Sequence, residues 1–124
     1  MSGVNNLLVD TNVIVYGVEG NRKARKLVEG KTIFISVISE IELLSKQFKS
    51  TVEEDLMKDF VSNCFVLDIG KEIKEKAIQL RKNHRLSLPD SIIAATSIVE
   101  RLPLVTADKD FLKIQLPNLT ILSI

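Results

Sequence analysis

Four acidic residues, Asp10, Glu42, Asp90 and Asp108, each stand where an apolar or β-rich run gives way to a helical pattern. A carboxylate at such a junction has an ordinary use, because it accepts hydrogen bonds from the free N–H groups of the first helical turn and favours the helix dipole. Ser39-Glu40-Ile41-Glu42 fits a capping box, with Ser39 as N-cap and Glu42 at the third helical position. Ser87-Leu88-Pro89-Asp90 fits a similar one, with Pro89 in the first turn, where its missing N–H does no harm. Asp10, closing Leu7-Leu8-Val9, and Asp108, just past Thr106, could each cap the helix that follows. Taken singly, each acid is explained as a cap.

Taken together, they imply chemistry. In an open parallel sheet every strand-to-helix junction lies at the carboxyl edge, where ligands bind near the topological switch point. Carboxylates crowded there cannot all stay ionised, so the cluster takes up protons or a cation. Ligation by oxygen alone, with no histidine or cysteine nearby in sequence, selects Mg²⁺ or Mn²⁺. Such an ion activates water for phosphodiester hydrolysis, and a second would stabilise the leaving oxygen. No side-chain nucleophile is then required. Cys64, within Cys64-Phe65-Val66-Leu67, reads as a core thiol, and His84, within Lys82-Asn83-His84-Arg85, as a surface residue.

The elements that must position these acids alternate along the chain. Strands are expected at Leu7–Asp10, Thr32–Ser36, Cys64–Ile69, Leu104–Thr106 and Thr120–Leu122, and helices over Arg22–Glu29, Glu40–Phe48, Thr51–Asn63, Glu72–Asn83 and Ser91–Glu100. Alternation of this kind implies crossovers between parallel strands. The expected fold is therefore an α/β three-layer sandwich with a central, mostly parallel five-stranded sheet flanked by helices. With 124 residues and neither linker nor internal repeat, a single domain over residues 1–124 is expected. A hydrophobic fraction of 45% with 27% charged residues is that of an ordinary globule. A net charge of +1 argues neither for nor against nucleic acid, so local charge must decide that question. One cysteine permits no disulfide within the chain, and no apolar stretch approaches the ~18 residues of a membrane span. A cytoplasmic protein without a membrane partner is expected.

Leu8-Val9-Asp10-Thr11-Asn12-Val13 resembles the opening motif of the PIN-domain ribonucleases, in particular the VapC-like toxins of type II toxin–antitoxin pairs. Ser36-Val37-Ile38-Ser39-Glu40-Ile41-Glu42-Leu43 is similar to the second motif, whose glutamate six residues after the serine corresponds to Glu42 rather than Glu40. Leu88-Pro89-Asp90-Ser91-Ile92-Ile93-Ala94-Ala95 resembles the third, and Leu104-Val105-Thr106-Ala107-Asp108-Lys109-Asp110-Phe111 the fourth. The resemblance spans nearly the whole chain, with the motifs in family order. It implies a metal-dependent endoribonuclease in which Asp10, Glu42, Asp90 and Asp108 hold Mg²⁺ or Mn²⁺. Asn12, Thr106 and Asp110 would be secondary polar positions, and the products would carry 5′-phosphate and 3′-hydroxyl ends. It also implies a homodimer neutralised by a small antitoxin protein.

RNA needs positive charge beside an acidic centre. Arg81-Lys82-Arg85 and Arg22-Lys23-Arg25-Lys26 are the available clusters, and Arg85, five residues before Asp90, is the better placed to bind RNA. The few aromatics, mostly Phe within apolar patterns, read as core and not as a base-stacking platform. Three other readings remain open from sequence. A phosphate-accepting receiver or an aspartate-nucleophile phosphatase also places acids at strand ends, but Asp10 is followed by Thr11-Asn12 and not by the further acids those would want. A PIN scaffold acting by binding alone would keep the same residues.

Overall fold

Leu8 and Val9 are adjacent in sequence and buried on opposite faces of one sheet, as the two-residue period of a strand requires. The computed structural model describes residues 5–123. The expected domain of residues 1–124 runs past both limits, so residues 1–4 and 124 lie outside the described residues. Five strands, β1 (Asn6–Val9), β2 (Thr32–Ser36), β3 (Phe65–Leu67), β4 (Leu104–Thr106) and β5 (Leu119–Ile121), form a single sheet in the order β3-β2-β1-β4-β5. All four pairings are parallel, so the sheet is more uniform than the mostly parallel one expected.

Six α-helices cover it: α1 (Thr11–Val18), α2 (Arg22–Val28), α3 (Val37–Ser45), α4 (Thr51–Ser62), α5 (Lys71–Asn83) and α6 (Leu88–Glu100). A 3-10 helix spans Lys109–Lys113. On one face Leu8, Phe34 and Leu104 pack with Ile73, Ala77 and Leu80 of α5 and with Ile93 and Ala94 of α6. On the other, Val9, Ile33, Ile35 and Val105 pack with residues of α1 to α4 such as Val13, Ala24, Leu43 and Met57. Burying a side chain of this size stabilises the fold by roughly 1.5–3 kcal/mol. The three layers hold five strand ends at one common edge.

Most element boundaries differ from expectation by one to three residues, and those beside α3, α6 and β3 bear on the site or on its neighbours. Helix α3 starts at Val37, directly after β2, and its N-cap is Ser36, whose Oγ accepts from Ile38 N at 3.2 Å. Ser39 is therefore a fully buried residue inside the helix, and the expected Ser39–Glu42 capping box does not form. Val37 and Ile38, left between the expected strand and helix, belong to the helix, where Ile38 packs against the core despite the low helix propensity of β-branched residues. Helix α6 starts at Leu88, and Ser87 is its cap as expected. Strand β3 begins after Cys64, whose N–H closes a turn on Val61 O.

Candidate active site

The chain runs outward from β1 through β2 to β3, then returns to place β4 on the other side of β1. The order therefore reverses between β1 and β4, and the carboxyl ends of those two strands flank the crevice where such sheets bind ligands. Asp10 follows β1 there, and Thr106 ends β4.

Asp10 is the N-cap of α1. Its Oδ1 accepts from Thr11 N at 2.8 Å and its Oδ2 from the Thr106 hydroxyl at 2.7 Å, and only 4% of the residue is exposed. Burial pushes its pKa up. The hydrogen bonds from Thr106 and Thr11 act the other way, and the charges of Glu42 and Asp108 push it up again. The Thr106 oxygen accepts in turn from Asp108 N at 3.0 Å, so one buried hydroxyl sets the positions of two acids. Asn12 braces the same loop, its Oδ1 accepting from Ala107 N at 3.1 Å.

Asp108 caps the 3-10 helix and accepts from Asp110 N at 2.9 Å. Asp90 is the third residue of α6, where its N–H donates to Ser87 Oγ at 3.2 Å. Its carboxyl is pushed up to about 6, first by burial and then by the charges of Asp10 and Asp108, with Asp110 adding to the rise and Ser87 opposing it. Carboxylate oxygens of Asp90, Asp108 and Asp110 lie within 4.8 Å of one another.

Glu42 approaches from α3. Its exposed carboxylate takes a hydrogen bond from the Thr11 hydroxyl at 2.7 Å, and Thr11 Oγ1 also lies 2.9 Å from Ser39 Oγ. A hydroxyl has one proton to give, and the carboxylate is the stronger acceptor, so Thr11 serves Glu42 and Ser39 completes the chain. The buried position that removed Ser39 from capping thus gives it a part in orienting Glu42. Asp10, Glu42 and Asp90 open onto one cleft of about 390 Å³.

The structure brings together all four acids that the sequence singles out, and it adds Asp110 as a full member of the cluster. Lys113, unremarked in the sequence, lies 3.6 Å from Asp110 Oδ1 and donates to Arg85 O at 3.4 Å. Its spacing of three from Asp110 on a helical turn was the available signal. Arg85 itself meets this network through its carbonyl oxygen, and its exposed side chain does not line the cleft. The α2 cations do not line it either. Arg25 donates to Gly17 O at 2.7 Å, and Lys23 and Lys26 line a separate groove beside β5. His84 ends α5 half-buried, and it is not among the residues lining the cleft. Cys64 is half-buried, donates to Phe60 O and has its thiol pushed up to about 11 by burial, which leaves it protonated and inert.

A cluster of carboxylates, one of them nearly buried and two with raised pKa values, is short of positive charge. Among the described residues Lys113 alone forms an ion pair with it. An oxygen-only donor set with this spacing fits a hard divalent cation.

The PIN domain family matches residues 7–116. No curated protein matches the sequence. Among solved structures, a toxin–antitoxin complex from Klebsiella pneumoniae contains a chain 31% identical to this one, with a TM-score of 0.80 over 92% of this chain and 95% of that one. VapBC2 from Rickettsia felis, bound to a DNA fragment from its promoter, is 24% identical with a TM-score of 0.76 over 94% and 98% of the two chains. VapBC-5 from Mycobacterium tuberculosis shares the fold at 18% identity, with a TM-score of 0.70 over 97% and 99%.

Proposed function

The chain belongs to the PIN domain family, and on that premise we propose that it is a divalent-metal-dependent endoribonuclease, the toxin of a toxin–antitoxin pair. The observation that carries the proposal is the convergence of five acids, from four separate segments of the chain, on the carboxyl ends of β1 and β4. Asp10, Glu42, Asp90 and Asp108 would hold Mg²⁺ or Mn²⁺, and Asp110, with an oxygen within 4.8 Å of those of Asp90 and Asp108, would add to the charge around it. When bound, the ion supplies Lewis-acid activation of water and neutralises charge developing on the phosphate.

The chain's own residues prepare that site in definite ways. Thr106 and Thr11 hold Asp10 with both carboxylate oxygens engaged, which favours its ionised form against burial. The Ser39–Thr11–Glu42 chain fixes an otherwise exposed glutamate over the cleft. Asp90, with its carboxyl pushed up to about 6, is largely ionised at neutral pH, and a bound cation would favour that ionised form further. RNA is the proposed substrate, cut to 5′-phosphate and 3′-hydroxyl ends, with Arg85 and Lys113, which reaches both Asp110 and the Arg85 carbonyl, as the proposed contacts to its backbone.

Partners follow the same reading. The complexes from Klebsiella, Rickettsia and Mycobacterium are toxin–antitoxin assemblies, so a small antitoxin protein is the proposed inhibitor, with a homodimer as the proposed assembly. The chain acts as a single domain in the cytoplasm on this proposal, and no helix among the described residues is long and apolar enough to cross a membrane. The receiver alternative loses ground on topology. In receivers the first strand lies between the second and third, whereas here β1 is central between β2 and β4.

The test is incubation of the purified, partner-free chain with total cellular RNA in Mg²⁺ or Mn²⁺, with and without chelator, beside Asp90→Asn. Discrete metal-dependent cleavage that disappears in the variant is expected. Identical patterns from both proteins, or no cleavage with either ion, would overturn the nuclease reading.

A further inference from the structure

We infer that Tyr16 is a base-stacking platform, so that the cleft holding the acids also holds a nucleobase next to the phosphate to be cut. This rests on the nuclease reading and deepens it. The cleft is not acidic throughout, because Val15, Tyr16, Pro89 and Ile93 line it together with Asp10, Glu42 and Asp90. A phosphodiester needs the acids. An apolar surface containing an aromatic ring, in the same cleft as the acids, suits the flat faces of the base that the phosphate carries.

Helix α1 explains how Tyr16 reaches this position. Thr11 and Val15, and Asn12 and Tyr16, are each four residues apart, so all four occupy one face of the helix and all four line the cleft. Val13, Ile14 and Gly17 face the other way and line a separate apolar groove with Leu56 and Phe60. Tyr16 packs part of its surface on the core and remains half-exposed. The five phenylalanines do not compete for the role: Phe34 and Phe111 are buried, Phe65 stacks on Phe34 at the β3 edge of the sheet, and neither Phe48 nor Phe60 lines the acidic cleft. Of the aromatics expected to be core, Phe65 is exposed and Tyr16 half-exposed. The polar tip of tyrosine suits a ring that is half in the core and half in water.

The chain supplies its own probe, since it has one tyrosine and no tryptophan, and its intrinsic emission comes from Tyr16 alone. Single-stranded oligoadenylate is titrated into the wild-type protein in chelator, so that nothing is cut, with an abasic oligonucleotide of equal length in parallel. Anisotropy of end-labelled oligonucleotides reports binding independently. Expected are quenching of the tyrosine emission by the base-bearing strand and not by the abasic one, and binding weakened about 5- to 100-fold by Tyr16→Leu, as for one lost stack. Tyr16→Phe, which keeps the ring, should bind within about 2-fold of wild type, by the same stacking argument. Circular dichroism checks that both variants fold. Binding without quenching, equal quenching by the abasic strand, or wild-type affinity in Tyr16→Leu would overturn the inference and leave the nuclease reading intact. Absence of any RNA binding, together with absence of cleavage in the metal-containing assay, would overturn both.

Discussion

Replacing Asp90 by Asn should stabilise the metal-free protein at neutral pH while destroying the site. In the folded chain the Asp90 carboxyl is pushed up from 3.8 to about 6 by burial and by Asp10 and Asp108. A folded-state pKa above the unfolded value means that ionisation at neutral pH opposes folding. The difference is about two pH units at about 1.4 kcal/mol each, an upper limit of roughly 3 kcal/mol. Asp90 is partly exposed, and its place in the first turn of α6 favours the charge, so screening and the helix dipole reduce the expected gain to about 1–2 kcal/mol. For a chain of this size that corresponds to a Tm rise of about 3–10 °C.

The sign fixes the pH window. Below the unfolded pKa of 3.8 the carboxyl is protonated in both states and the two proteins should melt together. Between 3.8 and about 6 the wild type loses ground to Asp90→Asn, and above about 6 the difference is complete. Thermal melts of both proteins in chelator at pH 4, 6 and 8 provide the assay, and adding Mg²⁺ or Mn²⁺ at pH 8 should raise the Tm of the wild type alone. A variant that melts below wild type at pH 8, or keeps its advantage at pH 4, would refute the argument that crowded, desolvated acids strain the apo site.

Three further outcomes follow from the geometry. Thr106→Val keeps the shape but removes the donor to Asp10 and the acceptor for Asp108 N. It should cost about 1.5–3 kcal/mol in denaturant melts and move the acidic limb of the nuclease pH profile upward, because Asp10 loses a bond that favours its charge. Leu43→Ala, in a fully buried position of α3, should cost about 2–5 kcal/mol by urea titration. Cys64, with its thiol pushed up to about 11, should react with a disulfide reagent at pH 8 far more slowly in the native protein than in denaturant.

The sequence reveals the site largely because the sheet is parallel. Once Leu7-Leu8-Val9 and Leu104-Val105-Thr106 read as buried strands, Asp10 and Asp108 must share an edge, and the structure places them there. Local grammar was less reliable at the Ser36–Glu42 junction, where no glycine or proline marks the turn and two serines compete to cap. The sheet settled that choice through packing, and in doing so it turned Ser39 inward toward Thr11. The full involvement of Asp110 depends on the 3-10 turn beginning at Lys109, and the place of Lys113 on its reach to Arg85 O, neither of which a linear pattern specifies. Tyr16 illustrates a different limit. Spacing puts it on the Asn12 face of α1, but only the tertiary structure shows that this face borders the acids.

The bond from Thr106 to Asp10 joins residues 96 positions apart, and that separation orders events during synthesis. A chain on the ribosome emerges from its N-terminal end, presenting Asp10 and Glu42 long before Asp90, Asp108 and Asp110. Until β4 has emerged and docked against β1, Asp10 lacks its hydroxyl partner and the other three acids have nowhere to gather. On the proposed nuclease reading, the chain would in this way be harmless to the message that encodes it for most of its own translation, and fragments truncated before Thr106 should remain inert however stable they are.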